Sequence, residues 1–372
     1  MERGSAMDVI AVFGGGGSLG AFDCGVWSLL APVLRTRGAR LVAVGGVSIG
    51  ALNAACIARG GSDLRGGAAR LEALWCEQLT TPSMPFDTLP HASAPRWNGL
   101  LTGLLLGNTT LYRANPWHWN PFAGLDRRAR PLMDREGLWR CIAANLDGLG
   151  VAGAHTPLLC VPAVDVADGS LALFDNAHAP LTTAHLAASS ALPLLFEPVE
   201  VEGRWYWDGD ITREPSLPLM LERLRERGCL ARNDADGGHD VERDDDADDA
   251  TPTLLLTIDH HPRRGARVPT GGVELAHRAL DLLLGGKYAL PASAMSGITH
   301  RLEIERDALE HDDISGILDF SPGRIDALIE QGRRHAERLC ERDWPMLERE
   351  SAPTWHPGAM PAGRTRRNAV LH

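Results

Sequence analysis

Apolar and polar positions along the chain follow two alternating rhythms. Val9-Ile10-Ala11-Val12-Phe13 is continuously apolar and is stopped by the glycines Gly14 to Gly17, which predicts a short buried strand. Leu41-Val42-Ala43-Val44 repeats that pattern before Gly45-Gly46. Helical spacing follows each run, near Leu19–Leu34 and Ile49–Ala58, and again over Arg65–Gln78. Pro157–Val166, rich in apolar and β-branched residues, predicts another buried strand, with Leu171–Phe174 as a short neighbour. Thr182 to Ser190 predicts a helix that Thr182 or Thr183 can cap. Further strands are expected at Thr253–Asp259 and Arg301–Glu305. Ser321-Pro322 supplies an N-cap and a first-turn proline for a helix through about Arg342. Strands alternating with helices predict an α/β fold with a mostly parallel sheet.

Between Pro82 and Pro131 the rhythm breaks. Trp97, Pro116, Trp117, Trp119 and Pro121 crowd together, and Leu100–Leu106 is almost wholly apolar. A connection this long inside a domain is often a lid or binding loop, so 82–131 is a candidate cap; the plainer alternative is that its aromatics plug the core. After Pro345 the chain turns irregular and basic. The expected organisation is an N-terminal tail over 1–7, one domain over 8–345 and an irregular tail over 346–372.

Composition narrows the class. Of 372 residues, 44% are hydrophobic and 23% charged, as in ordinary globular domains. No apolar run approaches the ~18 residues of a membrane span, and Met1 to Asp8 lacks a basic start with an apolar core. Seven scattered cysteines without C-x-x-C spacing favour neither a disulfide framework nor a zinc site. The cytoplasm is the expected location. The net charge of −11 is mostly local: Asp234 to Asp249 carries nine carboxylates against Arg243, leaving −3 for the rest. That run marks 233–252 as an acidic, disordered loop; its spacing lacks the EF-hand pattern that a calcium site of this kind would need. No contiguous basic stretch suggests nucleic acid.

The candidate chemistry sits at the strand ends. Gly46-Val47-Ser48-Ile49-Gly50 is a G-x-S-x-G elbow, a tight strand-to-helix turn framed by Gly46 and Gly50 that lifts the Ser48 hydroxyl out of the backbone. Gly14-Gly15-Gly16-Gly17-Ser18-Leu19-Gly20 presents side-chain-free backbone amides at a helix start, suited to an oxyanion. Far downstream, the aromatic strand Arg204–Trp207 ends in Asp208-Gly209-Asp210. A glycine loop, a G-x-S-x-G elbow and an apolar strand ending in Asp-Gly, in that order, resemble the patatin-like phospholipases. The likeness runs from about Asp8 to Pro218, takes in Ala188–Pro193 and Phe196–Pro198, and fades through about Leu339.

That resemblance implies a three-layer α/β/α fold with a mostly parallel central sheet. It implies a Ser–Asp dyad without histidine: Ser48 as nucleophile, Asp208 as base with Gly209 beside it, and the amides of Gly15, Gly16 and Gly17 as oxyanion hole. No cofactor or metal is implied. The implied substrate is a lipid or other acyl ester; the apolar and aromatic residues of Trp97–Phe122 are the expected route of transient membrane or micelle contact. Two residues depart from the family pattern. Leu19 stands where the family usually has Arg or Lys, and Asp210 where it has Gly or Ala. A carboxylate at 210 would either raise the proton affinity of Asp208 or point into solvent. Other readings remain: a triad using His260 or His261, a G-x-G-x-x-G nucleotide module, or a family member of little activity acting through partners. The early elbow disfavours the triad, because only one predicted strand precedes it. The nucleotide module expects an acid ending the second strand, where this chain has Gly45-Gly46.

Overall fold

In the computed structural model the chain is described at residues 7–62, 64–83, 94–108, 110–115, 131–193, 195–230, 251–261, 268–288, 290, 292–309, 312, 316–342 and 369–371. The acidic run, Trp117, Trp119 and most of the C-terminal tail lie outside these residues.

Strand β1 (Asp8–Phe13) is central because its residues are apolar toward both faces. Val9, Ala11 and Phe13 pack into one layer, Ile10 and Val12 into the other. It pairs in parallel with β2 (Arg40–Gly46) on one side and with β10 (Thr253–Asp259) on the other. β6 (Leu158–Asp165) continues the sheet in parallel beyond β2, and β11 (His300–Glu305) beyond β10. Three antiparallel strands finish the β6 side: β7 (Leu171–Asp175) and β9 (Arg204–Asp208) on β6, and β8 (Val199–Val201) on β9. A buried parallel centre with antiparallel margins is the sheet of a three-layer α/β/α fold. Three very short strands, β3 (Gly107–Asn108), β4 (Tyr112–Ala114) and β5 (Met133–Asp134), form a separate small sheet.

One helical layer holds α1 (Ala21–Thr36), α2 (Ile49–Ala58), α3 (Leu64–Ala73) and α9 (Pro322–Arg342), with α1 against α9 and α3. α2 is buried all round, as an apolar helix with no polar face must be. α5 (Glu136–Leu146) and α6 (Thr183–Ser189) join this layer. α7 (Ser216–Glu226) covers the opposite face with Leu217, Met220, Leu221 and Leu224.

The structure differs from the sequence pattern in four places. The apolar run at Leu100–Leu106 lies mostly in a helix, α4 (Ala94–Leu105); Pro95 fits in its first turn, where no intrahelical bond is lost. α8 (Gly272–Leu284) forms where no element was expected. Ala369–Leu371 (β12), in the stretch read as an irregular tail, pairs in parallel with β11 as an edge strand. Finally, the helical stretch Gly17–Thr36 is long and apolar enough to cross a membrane, although 72% of it is buried as a core helix.

Candidate active site

The predicted residues converge at the carboxyl ends of β1 and β2. β2 runs into the elbow, and Ser48 sits at φ 56°, ψ −125°, a strained conformation for any residue with a side chain. The turn closes only because its two glycines interlock. A Cβ on Gly46 would land on the Gly50 carbonyl, and one on Gly50 would approach the Phe13 and Gly14 carbonyls at 2.5 Å. The Ser48 amide donates to the Ser189 carbonyl at 3.1 Å.

β9 delivers Asp208 from the far side. Its backbone faces Ala163 of β6 in antiparallel register, and its amide donates to the Ala191 carbonyl at 3.0 Å. Ser189 to Ala191 thus form a bracket, with one carbonyl on the elbow and another on the Asp208 strand. Ser190 Oγ donates to the Ser48 carbonyl at 3.3 Å. The sequence marks Ala188–Pro193 as part of the family likeness, but only the fold shows that it spans both groups.

The Asp208 carboxylate is buried on the Ser48 side of the turn and accepts from the Asp210 amide at 2.9 Å. Burial raises the Asp208 pKa to about 7, reinforced by the negative charge of Asp210; the bond from the Asp210 amide, the neighbouring Ser48 hydroxyl and the charge of Lys287 work the other way. Asp210 does not point into solvent. It is buried against Gly15, where a Cβ would land on its carboxylate, and pairs with Lys287.

The glycine loop is anchored at both ends. Gly14 N–H donates to the Ile258 carbonyl at 3.0 Å and Ser18 N–H to the Ile317 carbonyl at 2.9 Å. Between them the amides of Gly15, Gly16 and Gly17 have no acceptor among the described residues. Gly16 and Gly17 take positive φ, 133° and 57°.

His260 is turned away from the nucleophile. Both ring nitrogens are engaged, one with the Gly15 carbonyl at 2.8 Å and the other with Asp23 at 2.7 Å. His261 holds Asp281 through Nδ1 at 3.0 Å. The acid expected at the end of β2 for a nucleotide site is absent there, because β2 leads straight into the elbow.

A pocket of about 590 Å³, counting its open mouth, extends from Ser48 and Gly17. Leu52, Leu111, Leu138, Leu195, Phe196 and Phe320 give it an apolar lining that suits a hydrocarbon chain. The candidate cap contributes Leu111 and Tyr112 to this lining. α4 lies one layer further out: its Gly99 and Gly103 press on Asp319 and the Leu318 carbonyl, and Leu318 itself faces the pocket.

Among the described residues, two clusters of leucines face solvent. Leu104, Leu105 and Leu106 at the end of α4 are each more than two-fifths exposed. The second, on α8, was not expected from the sequence. α8 turns His277 and Asp281 inward and exposes Leu275, Leu282 and Leu283 at 54 to 63%, the reverse of a core-facing helix. It packs on the Gly209–Ile211 turn, directly after the Asp208 strand. Leu275, Ala279, Leu282 and Leu283 have helical spacing, and that periodicity could have identified it.

Against known proteins, the model of the family described as patatin-like phospholipase matches residues 11–217. A search of curated proteins gave no significant match. Among solved structures, the chain is similar to VipD from Legionella pneumophila, with 14% identity and TM-score 0.35, covering 89% of this chain and 66% of that one. It is also similar to the type III effector ExoU, with 14% identity and TM-score 0.34 over 94% and 56%. The ExoU–SpcU complex from the type III secretion system of Pseudomonas aeruginosa gives 15% and 0.32 over 91% and 52%. This chain spans between about half and two thirds of those chains' lengths.

Proposed function

The chain belongs to the patatin-like phospholipase family, and from that premise we propose that it is a serine acyl-ester hydrolase of the phospholipase A type. The observation that carries this reading is the strained Ser48 elbow and the buried Asp208 held on one bracket, Ser189 to Ala191, with burial bringing the Asp208 pKa to about 7. An ordinary aspartate near 4 is a poor base for an alcohol. One poised near neutrality can accept the proton while remaining partly ionised at pH 7.

In the proposed reaction Ser48 Oγ attacks the ester carbonyl as Asp208 takes its proton. The amides of Gly15, Gly16 and Gly17 hold the oxyanion of the tetrahedral intermediate. Asp208 returns the proton to the departing alcohol, leaving an acyl-enzyme. Water, activated by the same carboxylate, then releases the fatty acid. The acyl chain lies in the apolar pocket, where each buried methylene contributes about 0.8 kcal/mol. The dyad needs no cofactor for these steps.

The route to the lipid is hydrophobic and peripheral. Leu104–Leu106 and the outer face of α8 are the surfaces proposed to enter aggregated substrate, and interfacial helices bind through apolar faces of this kind. One observation favours a second reading, a family member of low activity: the Asp210 carboxylate against Gly15 places negative charge beside the proposed oxyanion site.

A fluorophosphonate probe decides between them. The first reading expects covalent labelling of the wild-type protein on the peptide containing Ser48, none on Ser48→Ala, and hydrolysis of long-chain esters. A folded Ser48→Ala variant with wild-type turnover would sink it.

A further inference from the structure

The buried ring of His260 is matched atom for atom to its surroundings. Nδ1 lies 2.8 Å from the Gly15 carbonyl oxygen and Nε2 lies 2.7 Å from Asp23 Oδ1. A carbonyl oxygen only accepts, so Nδ1 must carry a proton and donate. Nε2 and Asp23 then share one more proton. Whether this is an imidazolium beside a carboxylate or an imidazole beside a carboxylic acid, the pair is neutral overall. Burial raises the pKa of Asp23; that of His260, which burial alone would lower, is raised by Asp23.

The support extends inward. Asp23 Oδ2 accepts from Asn53 Nδ2 at 2.8 Å, Asn53 Oδ1 accepts from Trp75 Nε1 at 2.9 Å, and Arg306 Nε donates to the His260 carbonyl at 3.0 Å. Asp23, Asn53, Trp75, His260 and Arg306 have no solvent exposure. A buried polar chain is costly unless every member is paired, and when paired it is rigid. Within the glycine loop this one holds the Gly15 carbonyl, and further back Asn53 Nδ2 donates to the Gly20 carbonyl at 3.0 Å.

The Gly15 oxygen controls another atom. In a trans peptide the carbonyl and the following N–H point in opposite directions, and no cis peptide occurs among the described residues. Holding the Gly15 carbonyl inward therefore turns the Gly16 amide outward. Glycine on both sides imposes no preference of its own on this peptide plane, so the loop needs an external clamp.

We propose that His260, backed by Asp23, is a positioning residue for the oxyanion hole, fixing the Gly15–Gly16 peptide so that the Gly16 amide faces the reacting carbonyl. This rests on the hydrolase reading above, and it gives this histidine a role distinct from the base of a triad.

The test uses two isosteric halves of imidazole. In His260→Asn the side-chain amide stands in for Nδ1 and keeps the donor to Gly15. In His260→Gln it stands in for Nε2 and keeps only the bond to Asp23. With a soluble nitrophenyl ester, His260→Gln should lose about 100-fold in kcat with KM within about twofold. His260→Asn should stay within about tenfold of wild type. Inhibition by a long-chain trifluoromethyl ketone, whose hemiketal presents an oxyanion, should weaken in proportion to kcat. Equal loss in the two variants, or a rise in KM with kcat unchanged, overturns the proposal.

A second measurement does not depend on turnover or on the variants folding. Nitrogen-15 NMR of histidine-labelled wild-type protein should show His260 Nδ1 protonated at pH 7. An unprotonated Nδ1 overturns the proposal whatever the activity. Absence of any ester turnover by the wild-type protein would fell the hydrolase reading alone, and Nδ1 would still decide the bond to Gly15.

Discussion

Lys287 Nζ lies 3.4 Å from Asp210 Oδ1, and both side chains are about nine-tenths buried. Lys287 is the only lysine in the chain, and Asp210 is the residue that departs from the family's Asp-Gly motif. The extra carboxylate beside the proposed base is thus matched by a cation reaching in from beyond α8. Lys287 Nζ also donates to the Asp210 carbonyl, tying the side chain to the turn that follows Asp208.

This arrangement fixes the sign of two pH effects. Asp210 raises the pKa of Asp208 and Lys287 lowers it. The acid limb of kcat/KM, set by ionisation of Asp208, is expected near pH 7 in the wild-type protein. Lys287→Met should move that limb to higher pH, and Asp210→Gly to lower pH while keeping most of the activity at pH 8. Profiles between pH 4 and 9 on a soluble ester would show it. Unmoved limbs in both variants would mean that another group sets the profile.

Asp208 should trade stability for function. Its pKa is 3.8 in the unfolded chain and about 7 when folded. Below 3.8 both states are protonated and the group costs nothing. As pH rises toward about 7 the unfolded chain ionises first, and folding is progressively disfavoured. Asp208→Asn removes that cost, so it should raise Tm at pH 8 more than at pH 4. The same variant should lose activity by several orders of magnitude. Thermal melts at the two pH values check the first claim and single-turnover assays the second; a Tm gain equal at both would contradict the shifted pKa.

Interfacial contact separates two substrates. Replacing Leu104, Leu105 and Leu106 with serine should weaken hydrolysis of phospholipid vesicles while leaving a soluble nitrophenyl ester nearly unaffected. Leu282→Ser with Leu283→Ser should act likewise on α8. The side chains are already solvent-exposed, so stability should change by less than about 0.5 kcal/mol for each. Equal losses on both substrates would assign the leucines to packing instead.

Pocket size gives a chain-length expectation. Leu138 lines the apolar pocket, so Leu138→Trp should shorten the preferred acyl chain. A series of nitrophenyl esters from acetate to palmitate would reveal the shift as a maximum at shorter chains. An unchanged optimum would place the acyl chain elsewhere.

Local sequence determined the elements whose signals are local. The apolar runs at Val9–Phe13 and Thr253–Asp259 were strands because a continuous apolar segment of that length must be buried on both faces. Ile49–Ala58 and the helix from Pro322 followed from apolar spacing and a first-turn proline. The candidate residues were legible too, because glycine-rich turns leave marks that no side-chain-bearing residue could replace. What those residues touch was not legible. That Asp210 is buried on Lys287 depends on segments 77 positions apart meeting, and that His260 faces Gly15 on a separation of 245. The outward leucines of α8 show the same limit: periodicity gives a helix two faces, and only the packing of His277 and Asp281 decides which one turns inward. Propensity and patterning act over a few residues, whereas charge pairing and burial act between elements that only the fold brings together.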